Sequence, residues 1–174
     1  GSVTVNKNGS YVYTPNSNYH GADTFTYIAT DGKGGMATGT VTLTVAALND
    51  APIVGAVSVV VSEDDATSGK LTASDVDSDE LTFELRSTAE NGTAVVNEDG
   101  SYSYTPNANY AGSDSFTYSV SDGNGGITTG TVSVTVAAVN DAPISSGASI
   151  VVDEDETAIG TLSASDVDSD SLSF

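Results

Sequence analysis

The chain has 174 residues, with 24 Asp and Glu against 4 Lys and Arg, a formal net charge of -20, one His, and neither Cys nor Trp. So acidic a surface repels phosphate backbones and anionic lipid heads, which sets nucleic acids and membrane surfaces aside as partners. The missing thiols exclude a disulfide scaffold, thiol catalysis and cysteine-ligated zinc. No apolar run is long enough to insert in a bilayer, and no basic then apolar leader opens the sequence, so a secretion signal is expected outside this stretch. Disorder is the alternative for such acidity, but 38% hydrophobic residues and regularly spaced aromatics oppose it.

In chain order, the pattern alternates and shows no helical period. Val57–Val61, Lys70–Ala73 and Leu81–Arg86 read as the first strands of a central stretch. Val95 to Tyr102 reads as a hairpin with Gly100 at the position that needs positive φ. Ser101–Thr105, Ser115–Val120 and Thr131–Val136 alternate polar and apolar, as half-buried strands do. Seven strands are expected, roughly 57–61, 68–73, 81–86, 93–97, 101–105, 114–121 and 127–138, which is the pattern of an immunoglobulin-like β-sandwich. Tyr19 and Tyr110 precede long strands and are expected to anchor corners by bonding their hydroxyls to backbone.

The sequence repeats. NKNGSYVYTPN at Asn6 returns as NEDGSYSYTPN at Asn97, and DGKGG at Asp31, NDAPI at Asn49 and SDVDSD at Ser74 all return 91 residues later. Residues 1–83 align with 92–174 without a gap, with about 50 of 83 positions identical. The NDAP seam, whose Pro stops the preceding strand, divides the chain into 1–48 (the back of one repeat), 49–139 (a whole repeat) and 140–174 (the front of the next). The frame starts and stops within a repeat, as expected of a stretch from a longer array or of a permuted unit.

The acids are not evenly spread. Fourteen of the 24 lie in two matched windows: Glu63, Asp64, Asp65, Asp75, Asp77, Asp79 and Glu80, then Asp153, Glu154, Asp155, Glu156, Asp166, Asp168 and Asp170. Two carboxylates about 4 Å apart repel by roughly 4 kcal/mol at a surface-like dielectric. Hard oxygen donors without His or Cys select Ca²⁺; a solvated acidic face is the alternative. The spacing is not that of an EF-hand, because counting from Asp75 puts Glu80 where Gly is required and Arg86 where a bidentate Glu is required. No GGxGxD nonapeptide of a calcium β-roll occurs either.

Glu63-Asp64, then Ala73-Ser74-Asp75-Val76-Asp77, then Val120-Ser121-Asp122-Gly123-Asn124-Gly125-Gly126, then Val139-Asn140-Asp141-Ala142-Pro143 resembles the cadherin motif order. With GSYxYTPNxNYxGxDSFTYxVSDGNGG added, the whole chain resembles the cadherin-like and VCBS-type tandem repeats of giant secreted bacterial (RTX-type) adhesins. The resemblance implies all-β, tandem seven-stranded cadherin-like sandwiches with Ca²⁺ between consecutive repeats. By matched position, the first junction would use Asp23, Asn49, Asp50, Asp75, Asp77 and Asp122. The second would use Glu63, Asp64, Asp114, Asn140, Asp141, Asp166 and Asp168, with Glu154 the later match of Glu63. The linker departs from the cadherin pattern, reading N-D-A where N-D-N is usual.

Catalysis has little to stand on. His20 is the only His, its matched position is Ala111, and a surface-loop role is the simpler reading. Three non-enzymatic functions are expected: a Ca²⁺-stiffened stalk segment of a bacterial surface adhesin, active in cell adhesion or biofilm; a subunit of a self-assembling extracellular fibre; or a calcium-dependent carbohydrate-binding module. The expected partners are neighbouring repeats of the chain or head-to-tail copies, and surface glycans. The expected location is extracellular, at the bacterial cell surface.

Overall fold

The structure is a computed structural model that describes residues 1–169 and 171–174. Among the described residues, alternation of β-branched and aromatic residues with Ser and Thr produces fifteen strands and no helix. Residues 1–48 form two hairpins, β1 (Ser2–Val5) with β2 (Tyr11–Thr14) and β3 (Gly21–Thr30) with β4 (Met36–Val45). The middle of the chain holds β5 (Ile53–Val54), β6 (Val57–Ser62), β7 (Thr67–Lys70), β8 (Ala73–Ser74), β9 (Thr82–Ser87), β10 (Gly92–Val96), β11 (Ser101–Pro106), β12 (Gly112–Ser121) and β13 (Ile127–Ala137). Among the described residues after 139 only β14 (Ile144–Ser145) and β15 (Ala164–Ser165) form, and they pair with each other.

The middle stretch is a β-sandwich. One sheet runs β6-β13-β12-β9, with β6 parallel to β13, and the other runs β10-β11-β7. All seven expected strands are present. The two additional strands, β5 and β8, pair only with each other and are two residues long, too short for alternation to reveal. Phe116, Tyr118 and Val120 of β12 and Val132, Val134 and Val136 of β13 point inward. They meet Tyr102 and Tyr104 of β11, together with Leu71, Phe83 and Ala94. Tyr104 stacks on Phe116 from the opposite sheet, with centroids 6.3 Å apart and planes at 8°. Burial of these side chains is the main driving force, worth about 1.5–3 kcal/mol for each large one.

Two glycines show why the strands tolerate so little bulk. Gly130 lies under the Tyr118 ring and Gly92 under Tyr104, and neither site has room for a Cβ. Gly100, at φ +84°, closes the expected hairpin, with Asp99 Oδ1 accepting from the Ser101 N–H at 2.9 Å. The corner tyrosines behave as expected: Tyr110 Oη donates to Ser113 O at 2.6 Å, and Tyr19 Oη to Ala22 O.

Candidate metal centre

The β12–β13 turn begins at Asp122, which is 4% exposed. Its Oδ1 accepts from the backbone N–H groups of Asn124 at 2.8 Å and Gly126 at 2.9 Å, so the carboxylate shapes the loop. Its Oδ2 accepts from Asn49 Nδ2 at 2.8 Å, across 73 residues of sequence. The Asn49 amide and these backbone donors hold the Asp122 carboxyl below its usual range, against the opposing effect of burial. The linker passes so close that a Cβ on Gly126 would meet Asp122 and the Ala51 backbone.

The loop after β8 completes this first group. Asp50 N–H donates to Asp77 Oδ2 at 2.8 Å, and Asp77 N–H to Asp75 Oδ1 at 2.8 Å. Asp75, Asp77 and Asp79 each bring a carboxylate oxygen within 4.8 Å of the others. Asp75 Oδ2 and Asp79 Oδ2 are shielded from solvent without a hydrogen-bond partner. Asp79 lay in the acidic window but outside the ligand set implied by resemblance, although the Asp-x-Asp-x-Asp spacing signals it.

The second group repeats the plan at the other end of β13. Glu63, 6% exposed, follows β6, and its Oε1 accepts from the Val139 N–H at 2.6 Å. Asp141 N–H donates to Asp168 Oδ2 at 2.7 Å, and Asp168 N–H to Asp166 Oδ1 at 2.9 Å. Burial pushes the Asp141 carboxyl up, and Asp64, Asp168, Glu63 and Asp166 push it further in the same direction. Its Oδ2 is shielded and unpartnered. Asn140 Nδ2 donates to Asp141 O at 3.0 Å and so shapes the linker.

Asp23 and Asp114 lie in a different setting. Asp114 accepts from Asn91 N–H at 2.9 Å, Glu90 N–H at 3.2 Å, Ser115 N–H at 2.8 Å and Tyr104 Oη at 2.8 Å, so both oxygens are occupied within its own sandwich. Burial pushes its carboxyl up, but these four donors, Tyr104 first, outweigh that and hold it low. Asp23 similarly accepts from Tyr13 Oη at 2.5 Å and Thr24 N–H at 2.8 Å. The Asp23 carboxylate in turn raises the Tyr13 hydroxyl to about 12. Glu154 is exposed. Asp170, the match of Asp79, lies outside the described residues.

The donor chemistry fits Ca²⁺. All the groups are hard oxygens, several acids meet with no Lys or Arg paired to them among the described residues, and three shielded carboxylate oxygens have no donor. His20 lines a cavity with Asp77, Asp79 and Asn124 beside the first group.

A family model described as a bacterial Ig domain matches residues 1–44 and 49–135. No curated protein sequence matches the chain. Among solved structures, the extracellular cadherin domains 1–5 of protocadherin gamma B2 superpose with a TM-score of 0.58 at 17% identity, covering 95% of this chain and 37% of that one. Domains 1–4 of protocadherin gamma B7 give 0.57 at 18%, covering 95% and 47%. At these identities the likeness is one of fold. An endo-fucoidan hydrolase of glycoside hydrolase family 107 matches at a TM-score of 0.40 and 22% identity, with 79% of this chain and 22% of that one covered. The chain spans under half the length of each of these structures. No helix among the described residues is long and apolar enough to cross a membrane.

Proposed function

We propose that this chain, which belongs to the bacterial Ig domain family, is an extracellular stalk segment of a bacterial surface adhesin, stiffened by Ca²⁺ at its repeat junctions. One observation carries the reading. Asp141, in the linker, donates its N–H to Asp168 of the following repeat and lies within electrostatic reach of Glu63 and Asp64 from the preceding repeat and of Asp166 from the following one. Acids drawn from three parts of the chain repel unless a cation neutralises them, so a cation there ties the three parts together.

The repeats are taken as 1–48, 49–139 and 140–174. Asp50, Asp75, Asp77 and Asp79 would hold the ion at the first junction, with Asp122, whose oxygens accept from Asn49 and the turn amides, fixing the linker beside them. Glu63, Asp64, Asp141, Asp166 and Asp168 would hold it at the second, with Asn140 shaping the linker. Bound Ca²⁺ supplies the positive charge that offsets the mutual repulsion. Backbone donors supply the rest: the Asp50 and Asp141 N–H groups fix each linker to the following Asp-x-Asp loop. Asp23 and Asp114 serve as fold anchors.

Extracellular calcium modules bind at about 10⁻⁴–10⁻³ M, so stiffness would follow ambient calcium. The test is a calorimetric calcium titration of chelator-stripped protein. Millimolar or tighter binding at the two junctions supports the reading, and absence of binding heat together with an unchanged thermal midpoint rejects it.

A further inference from the structure

We propose that Asn124 is a self-modification site: it loses its side-chain amide through attack by the Gly125 backbone nitrogen, which sets an added carboxylate beside Asp77 and Asp79. The step needs no enzyme. The Gly125 nitrogen bonds to Asn124 Cγ as its proton passes to hydroxide. The side-chain nitrogen takes a proton from water and leaves as ammonia. Water then opens the five-membered imide at either carbonyl. One product is Asp; in the other, isoaspartate, the backbone runs through the former side chain. Gly in the following position favours the step, because no Cβ blocks the approach of its nitrogen.

The chain holds three Asn-Gly pairs, Asn8-Gly9, Asn91-Gly92 and Asn124-Gly125, and the structure restrains the first two. Asn8 Oδ1 accepts from the Ser10 N–H at 3.1 Å and from Ser10 Oγ at 2.8 Å, and the Gly9 N–H donates to Asn6 O at 2.9 Å, so both reacting groups are held. Asn91 is half-buried; its N–H donates to Asp114 at 2.9 Å and its carbonyl accepts from the Asn107 N–H at 2.9 Å. Gly92 opens β10 and is packed under the Tyr104 ring.

The third pair is free of such restraint. Asn124 is exposed, and its side chain makes no hydrogen bond among the described residues. Gly125 is exposed too, at φ +112°, with open space where a Cβ would lie. Its N–H faces the Asp122 carboxylate, which draws the proton off the attacking nitrogen.

The consequence follows from position. Asn124 lines the cavity that His20, Asp77 and Asp79 also line, so either product adds a negative charge to the acids already there. Isoaspartate also lengthens the backbone between the Asn124 and Gly126 N–H groups, the two donors that Asp122 Oδ1 accepts at 2.8 and 2.9 Å. Asp122 accepts from Asn49 as well, so the change reaches the linker.

The modification stands apart from the calcium reading, and its test is run in chelator. The parent chain, Asn124→Lys and Asn8→Asp are stored at mildly alkaline pH. They are followed by ion-exchange chromatography and peptide mass spectrometry, with isoaspartyl methyltransferase as the probe for isoaspartate. Both substitutions occur in the chain's own repeats: Lys33 stands at the match of Asn124, and Asp99 at the match of Asn8. The parent and Asn8→Asp are expected to shift to a more acidic form at the same rate, with the peptide holding Asn124 converting first. That shift is expected to be lost in Asn124→Lys. At low salt, the thermal midpoint of the parent is expected to fall with the extent of conversion. An Asn124 that keeps its amide, an Asn124→Lys chain that turns acidic as fast as the parent, or a midpoint unchanged after full conversion would each overturn the proposal.

Discussion

The Val139 N–H donates to Glu63 Oε1 at 2.6 Å, joining residues 76 apart in sequence. A linker amide is thereby fixed to a carboxylate of the sandwich it leaves. The bond places Glu63 beside Asp141 and makes it both a structural acceptor and a contributor to the local repulsion.

Glu63→Gln separates these two roles, because the amide keeps an acceptor for Val139 and discards the charge. In chelator the thermal midpoint is expected to equal or exceed that of the parent. In calcium the affinity at the second junction is expected to fall about tenfold, or about 1.4 kcal/mol. A calcium titration followed by calorimetry checks this.

Asp114 tests the division between fold anchors and ion holders. Asp114→Ala strands the N–H groups of Asn91, Glu90 and Ser115 and the hydroxyl of Tyr104. The expected cost is about 1–3 kcal/mol, or roughly 4–8 °C of midpoint per kcal/mol in a domain of this size. The calcium-induced shift in midpoint is expected to survive unchanged. Loss of that shift with an unaltered chelator-state midpoint would return Asp114 to the metal centre.

The same residue sets an acid-lability limit. The folded state holds the Asp114 carboxyl below 3.8, so its contribution is full above that value and disappears as pH falls through the lower folded value. Denaturation in chelator should therefore steepen below pH 3.8, and Asp114→Asn should flatten that part of the curve. Denaturant titrations at stepped pH give the measurement.

Asp79→Asn examines a residue that the motif comparison left out. Its Oδ2 is shielded and unpartnered beside Asp75 and Asp77. Removing the charge is expected to raise chelator-state stability slightly and weaken calcium binding at the first junction, leaving the second as in the parent. Titration of this variant beside Asp168→Asn separates the two junctions.

The sequence carried the sandwich because one face of each strand is apolar and the turns are written in Gly, Asn and Asp. It carried the Asp-x-Asp loops and linker acids because they recur at a fixed offset. It did not distinguish Asp114 from these, since Glu90 and Asn91, which occupy its oxygens, are more than 20 residues away. Hydrogen bonds from distant backbone leave no local pattern. Strands β5 and β8 were invisible for a similar reason: each depends on a pairing partner and has too few residues to alternate.

If calcium fixes one repeat against the next, the distance across a junction becomes well defined only when the ion is bound. The chain has no Cys, so Thr40→Cys with Thr129→Cys places spin labels on two exposed strand positions, one on each side of the first junction. Pulsed electron double resonance then reports the distribution of distances between them. A narrow distribution in millimolar calcium that broadens in chelator is the predicted result. Equal widths in the two conditions would contradict a calcium-stiffened junction.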